Sequence, residues 1–344
     1  MSQSFRVGVT RDFLKPDGTL GFGDIGLSLL DEGGVDWEFL AQDTPTLRPD
    51  QVQGYDALIV LAPAITAHTL EGADRLTIVA RFGVGYDKVD VEACSKNGVM
   101  LTITPDGVRR PVAVAVMTLV LALSHKLLIK DRLTRAGRWE EKLDYMGMGV
   151  TGRTLGVVGL GNIGREVFAL AQPFGMRHIA CDPYVTDAEG IELVDIETLL
   201  RTADFVCICC ALTEDTHHLI NAQRLALMKE TAYLINTARG SIVDQDALTV
   251  ALHEGRIQGA GLDVFEQEPI DPNDPILKLD NVIVSPHAIC WTDECFLGNG
   301  KSACESILDV AAGRIPKNVV NREALETPRL KGKLIQYRHG SKTG

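Results

Sequence analysis

Thr154–Leu170 reads TLGVVGLGNIGREVFAL, and the fold turns on this stretch. A short apolar run enters Gly159, Gly161 and Gly164, and a helical pattern follows. A strand that passes into a helix through Gly-x-Gly-x-x-Gly opens a βαβ unit. The first glycine permits a tight turn, the second lets backbone approach a pyrophosphate, and the third lets the helix pack on the strand. The positive end of the helix dipole then faces the phosphates. In HIACD, Asp182 ends the next expected strand about 18 residues beyond Gly164, near the spacing of an acid that holds a ribose. A carboxylate accepts from both ribose hydroxyls and repels a 2′-phosphate, and Pro183 and Tyr184 add no basic group. NAD is therefore expected in preference to NADP. A capping aspartate after an ordinary glycine turn is the plainer alternative.

Outward from this motif, β-rich runs recur between helical patterns. HIACD, FVCICCAL, AYLINTAR, GAGLDVF and NVIVSPH follow LGVVGLG, separated by stretches such as DIETLLRTA and DQDALTVALHEG. That rhythm predicts a doubly wound parallel sheet with helices on both faces. The first hundred residues repeat it more loosely in RVGVT, DALIVLAP, LTIVARFG and VMLTITP, which predicts a second, smaller α/β domain. A length of 344 residues fits two domains. The charged carboxyl end beyond Ile315 shows little apolar periodicity and is expected to be a surface extension.

Composition narrows the function. A net charge of −12 sets nucleic acid and anionic membranes aside as partners, since both need a positive footprint. The opening MSQSFRVGVT goes straight into a strand-like run without the pattern of a signal peptide, so secretion is not expected. The most apolar segment, Val112–Leu123, is too short for a bilayer span of roughly 20 residues and reads as a buried helix. The 8 cysteines lack paired CxxC units, and the densest cluster, Cys207, Cys209 and Cys210, lies inside an apolar run. They read as small hydrophobes in a reducing cytoplasm, with no metal expected.

Open α/β sheets present ligands at the carboxyl ends of their strands. Arg239 in LINTARG, Asp263 and Glu268 in GLDVFEQEP, and His287 in VIVSPH all fall at such ends. Each alone has a dull explanation: a capping arginine, a solvated glutamate, a structural histidine.

Together, ARFGVGYDKVD, TLGVVGLGNIG, YLINTARGSIVDQDAL, GAGLDVFEQEP and NVIVSPH resemble, in order and spacing, the D-isomer-specific 2-hydroxyacid dehydrogenase family. That family includes glyoxylate and hydroxypyruvate reductases, D-lactate dehydrogenases and phosphoglycerate dehydrogenases. The resemblance spans nearly the whole chain. It implies a Rossmann NAD-binding domain, residues 105–291, inserted into a flavodoxin-like substrate domain, residues 1–104 plus 292–330, with 331–344 left as a surface tail and a cleft that closes on the substrate. It implies Arg239, Glu268 and His287 as the catalytic set, acting on C2 of a small 2-hydroxy or 2-oxo acid. The Val84 and Gly85 amides, with Arg239, would receive the substrate carboxylate. Cofactor contacts are expected at Gly159, Gly161, Asn162, Ile163, Gly164, Asp182, Ala211, Thr216, Thr237 and Asp263. In this family the region of the long apolar helix lies at a subunit interface, which implies a homodimer.

Elementary chemistry agrees with these roles. Histidine exchanges protons near neutrality, a neighbouring glutamate stabilises imidazolium, and the arginine fork pairs with a carboxylate. The chain departs from the family pattern at Val114, where a glutamate is common, and at Ala211, where a proline is usual. Arg109 and Arg110 either serve a further anionic group or sit in solvent, the reading favoured here. Two other readings are a corepressor-like protein that senses NAD without turnover, and a formate dehydrogenase-like enzyme, which normally carries glutamine where Glu268 stands.

Overall fold

The computed structural model describes residues 4–340. The chain folds into two compact units, Met1–Val108 with Trp291–Gly344, and Arg109–Cys290. Residues 105–108 and Trp291, grouped above with residues 105–291, fall in the first unit.

The first unit is built on five parallel strands, β1 (Arg6–Val9), β2 (Asp36–Phe39), β3 (Ala57–Val60), β4 (Ile78–Arg81) and β5 (Met100–Thr102), in the order β2-β1-β3-β4-β5. This is the flavodoxin-like order. The fully buried β3 and β5 and the nearly buried β1 and β4 are the four runs read from the sequence. β2 was missed because it is an edge strand whose residues alternate between exposed and half-buried, with no apolar run to mark it. The helix Asp293–Ala311 packs along β3 and β4, so the end of the chain completes the sheet begun at its start.

Two buried asparagines tie these distant segments together. Asn321 Oδ1 accepts from the Leu101 amide at 2.7 Å, and Asn299 Oδ1 accepts from Thr104 Oγ1 at 2.7 Å. The surface tail expected from residue 331 is instead a helix, Pro328–Gly340, docked on the first unit. Leu330 and Leu334 are buried, Tyr337 Oη donates to Asp56 Oδ1 at 2.9 Å, and Arg329 Nη2 donates to the Ala73 carbonyl at 2.6 Å. Its buried apolar residues stand four apart among lysines and arginines whose stems lie along the surface, so no apolar stripe is visible in the sequence. Residues 341–344 lie outside the described residues.

The second unit carries seven parallel strands: β6 (Thr154–Val158), β7 (Arg177–Cys181), β8 (Glu192–Leu193), β9 (Phe205–Ile208), β10 (Tyr233–Asn236), β11 (Gly259–Leu262) and β12 (Val282–Val284). Their order is β12-β11-β10-β9-β6-β7-β8. Both faces are covered, which is why the strands read as continuous apolar runs. Along β9, Phe205 and Cys207 enter the core on one face, and Val206 and Ile208 enter the core on the other. Burial pushes the Cys207 thiol up and the Cys209 thiol up to about 12, so both pack as neutral apolar groups.

The long apolar helix runs Pro105–Ser124, longer than the dozen residues read from the sequence. By length and composition it could cross a membrane, but 67% of its apolar window is buried in the protein. Val114 is exposed on it.

Candidate active site

In the second unit the strand order reverses between β6 and β9, and the chain leaves β6 there through the glycine turn. Gly159 has φ 96°, and a Cβ on it would sit 2.5 Å from the Cys210 amide nitrogen beyond β9. A Cβ on Gly164 would fall 2.3 Å from the Gly159 carbonyl oxygen, so the helix Asn162–Ala171 can start against the turn only because both positions lack side chains. At Gly161, by contrast, a Cβ would meet nothing within 4 Å. That glycine fronts open space at the helix amino terminus. Asp182, at the end of β7, accepts from the Leu160 amide at 2.8 Å through one oxygen and from the Tyr184 amide at 2.9 Å through the other. Its carboxylate is thereby fixed beside the glycine turn.

The loops after β9 to β12 are fastened to one another. After β9, Thr216 Oγ1 donates to the Ala211 carbonyl at 2.7 Å, and the His218 amide donates to the Ser241 carbonyl at 2.8 Å. His218 Nε2 lies 2.9 Å from Glu266 Oε1, linking this loop to the one after β11. After β10, buried Asn236 accepts from the Ala238 amide at 3.0 Å and donates to the Arg239 carbonyl at 2.9 Å, bracketing Thr237 and Arg239. A Cβ on Gly240 would stand 1.9 Å from the Phe265 carbonyl carbon, so the backbone after Arg239 lies directly on the segment that leads to Glu268.

Glu268 Oε2 lies 2.8 Å from His287 Nδ1, while Oε1 accepts from the Phe265 amide at 3.1 Å. Partial burial pushes the Glu268 carboxyl up. The hydrogen bonds from His287 and Phe265, with the charges of His287 and Arg239, outweigh it, so the group is held below the ordinary glutamate value. An ionised carboxylate only accepts, so Nδ1 of His287 carries the proton of this bond, and Nε2 takes no part in it. The two side chains are 44% and 38% exposed, reachable by a ligand.

His287 adopts φ 53°, and its amide reaches the Asp263 carbonyl at 2.8 Å. Asp263, 2% exposed, accepts through Oδ1 from Ser285 Oγ at 2.6 Å and from the amides of Ala288 and Ile289 at 2.9 and 3.1 Å. Asp263 therefore shapes the loop that carries His287. The sequence signalled Asp263 by its place at a strand end but not this work. Asn236, Ser285 and His218 went unmarked, because a polar residue beside a strand end looks the same whether it caps a turn or aims a neighbour.

In the first unit the chain turns after β4. Gly83 donates its N–H to Thr104 Oγ1 at 2.7 Å, and its carbonyl accepts from the Thr104 amide at 3.0 Å. The next two amides, Val84 and Gly85, have no hydrogen-bond partner among the described residues. Arg109 and Arg110 are about half exposed to solvent, and both pair with Glu166, at 3.5 and 2.8 Å.

Residues 117–288 match the family model described as D-isomer specific 2-hydroxyacid dehydrogenase, NAD binding domain. A glyoxylate reductase of Korarchaeum cryptofilum is 41% identical over 298 residues, covering 84% of this chain and 90% of its own. This chain belongs to the D-isomer specific 2-hydroxyacid dehydrogenase family. Among solved structures, the TT0316 protein of Thermus thermophilus matches with a TM-score of 0.82 at 33% identity, covering 92% of this chain and 100% of its own. A D-lactate dehydrogenase of Aquifex aeolicus, solved with NAD and lactic acid, matches with a TM-score of 0.80 at 27% identity, covering 92% and 99%.

Like the family, this 2-hydroxyacid dehydrogenase uses NAD and moves a hydride between NAD(H) and C2 of a small 2-hydroxy or 2-oxo acid. The residues present fit that cofactor. The open space at Gly161, the helix amino terminus behind it and the fixed Asp182 carboxylate suit a pyrophosphate and a ribose diol.

Proposed function

We propose that His287 is the general acid and base of this dehydrogenase, with Glu268 and Arg239 as its partners. The observation that carries the reading is the 2.8 Å contact between Glu268 and His287 Nδ1, which leaves Nε2 to the substrate. The bound nicotinamide supplies or accepts the hydride. In reduction, Nε2–H of protonated His287 gives its proton to the carbonyl oxygen, and in oxidation neutral Nε2 takes it back. Glu268 holds the ring and stabilises its charged form. Arg239 pairs with the carboxylate of the acid, and the Val84 and Gly85 amides donate to that carboxylate as well, in keeping with their lack of protein partners.

Gly159, Gly161, Asn162, Ile163, Gly164, Asp182, Ala211, Thr216, Thr237 and Asp263 make the cofactor contacts in this reading. The supporting features are the glycine turn and the way the loops after β9 to β11 are held. The relatives' name makes glyoxylate the first acid to test. His287→Ala should cut turnover on the order of 10² to 10⁴-fold while NADH still binds, as followed by NADH fluorescence. Undiminished turnover would rule out His287.

The chain forms a homodimer in this reading. The sequence pointed to the helix Pro105–Ser124, but that helix is largely buried in its own chain. Besides Val114 on the helix, exposed apolar residues lie just after it, at Leu127, Leu128, Trp139, Leu143 and Met146. Sedimentation should give about twice 37.3 kDa, and a lone 37.3 kDa species at micromolar concentration would end the idea. A cytoplasmic location is supported by the fully buried thiols of Cys94, Cys207 and Cys304.

A further inference from the structure

The first unit carries five aromatic rings in one connected cluster beginning at Phe82, the residue just before the Gly83–Gly85 turn. Phe82 meets Phe13 edge-on at 4.9 Å and Phe296 at 5.5 Å, and all three are buried. Phe22 stacks on Phe296 at 4.1 Å with the ring planes 7° apart. Trp291 meets Phe22 at 5.1 Å and Phe296 at 5.5 Å, edge to face in both cases.

The inner three rings account for the packing. The outer two do not finish burying themselves: Phe22 is only half-buried and Trp291 is 50% exposed. Phe22 is nevertheless placed with care. It follows a small hairpin in which Leu14 pairs with Leu20, and the Gly21 amide donates to the Phe13 carbonyl at 2.8 Å. A loop so anchored, presenting an aromatic face beside a turn with two unpartnered amides, has the composition of a ligand wall: apolar rings with a few polar groups to orient the molecule.

We propose that Phe22 and Trp291 form the wall against which the C2 substituent of the substrate packs, so that the enzyme prefers 2-oxo acids with a bulky apolar or aromatic side chain over glyoxylate. This rests on the reading that Val84 and Gly85 receive the carboxylate. A 2-oxo acid bound there projects its side chain only a few bond lengths from the carboxylate, and the ring cluster begins at Phe82, one residue before the Gly83–Gly85 turn. Glyoxylate has a hydrogen in that place and buries nothing on the wall. Each added apolar carbon group gains contact, and one methylene alone can change discrimination by roughly 10-fold or more. Rings also favour aromatic partners edge-on or offset.

The test is NADH oxidation on glyoxylate, pyruvate, 4-methyl-2-oxopentanoate and phenylpyruvate, for the parent enzyme and for Phe22→Ala, Trp291→Ala and Trp291→Phe. The parent should favour phenylpyruvate over glyoxylate by on the order of 10² in kcat/KM. Both alanine variants should lower that ratio about 10-fold or more, chiefly through KM for the bulky acids, and Trp291→Phe should recover much of it. Because each ratio is taken within one variant, general damage to folding cancels, and Trp291→Ala serves even where Phe22→Ala folds poorly. Glyoxylate preferred by the parent, or ratios unmoved in the variants, overturns the wall alone. A parent inert on every acid while still binding NADH overturns the reaction reading together with it.

Discussion

His287 sits in the left-handed region of backbone space, where a β-carbon is crowded, and three hydrogen bonds into Asp263 Oδ1 hold the loop around it. Such a conformation persists only when its surroundings over-determine it, and here the surroundings aim a ring at a carboxylate. Glu268 is the charge in that pair. Because its carboxyl is held below the ordinary value, the pair's contribution to stability is complete above the unfolded carboxyl value, roughly pH 4.3, and is lost only as pH falls through the lower folded value. Glu268 is thus already ionised wherever the enzyme works near neutrality.

Glu268→Gln keeps an acceptor for Nδ1–H but removes the charge that favours the protonated ring. Reduction needs a ring that can give its proton, so Glu268→Gln should lower reductive kcat/KM about 10-fold or more while NADH binding, followed by fluorescence, is kept. Undiminished turnover in the variant would reduce Glu268 to a steric support. At this scale the sequence was half legible. Arg239, Glu268 and His287 stand out from ordinary strand-end residues only through the family's ordered motifs, and the structure brings Glu268 and His287 within 2.8 Å. Asn236 and Ser285 are not, since what they do depends on which loop lies beside them.

Strands β1, β3 to β7 and β9 to β12 were legible because parallel strands covered on both faces are written as unbroken apolar runs. β2 and the two-residue β8 were not, being marginal strands at sheet edges, and the helix Pro328–Gly340 was hidden by its snorkelling lysines and arginines. The glycine turn is the element whose letters most nearly state their own purpose, and its glycines should separate on substitution. Gly164→Ala places a methyl 2.3 Å from a carbonyl oxygen, so it should cost about 1 to 3 kcal/mol and lower the melting temperature. Gly161→Ala meets nothing in the protein and should leave melting nearly unchanged while weakening NADH binding, because its methyl enters the space that the pyrophosphate needs. Calorimetry and fluorescence titration on the same two variants check both. Equal NADH affinity for parent and Gly161→Ala would remove the turn from the cofactor site.

For the whole molecule, the net charge of −12 opposes its own anionic substrate at long range, so the local cation Arg239 and the oriented amides must provide the attraction. Raising salt should matter less here than for an enzyme that steers its ligand with a positive surface. The two-unit division was readable only as a count of domains from length and rhythm. The thread between Leu101 and Asn321 was not, since nothing in a run of letters ties position 101 to position 321.

That thread has a consequence for how the protein is made. A ribosome releases the chain from its amino end. The second unit is one unbroken segment and can finish folding once Cys290 has emerged. The first unit cannot: β5 waits for Asn321 to meet the Leu101 amide, and the sheet waits for the helix Asp293–Ala311 to cover it. During synthesis the first unit is therefore the last to close, leaving apolar strands such as β3 and β4 uncovered for most of translation. A premature stop near residue 290 would yield an intact nucleotide unit attached to an unfinished, aggregation-prone half, a species for chaperones and proteases rather than for catalysis.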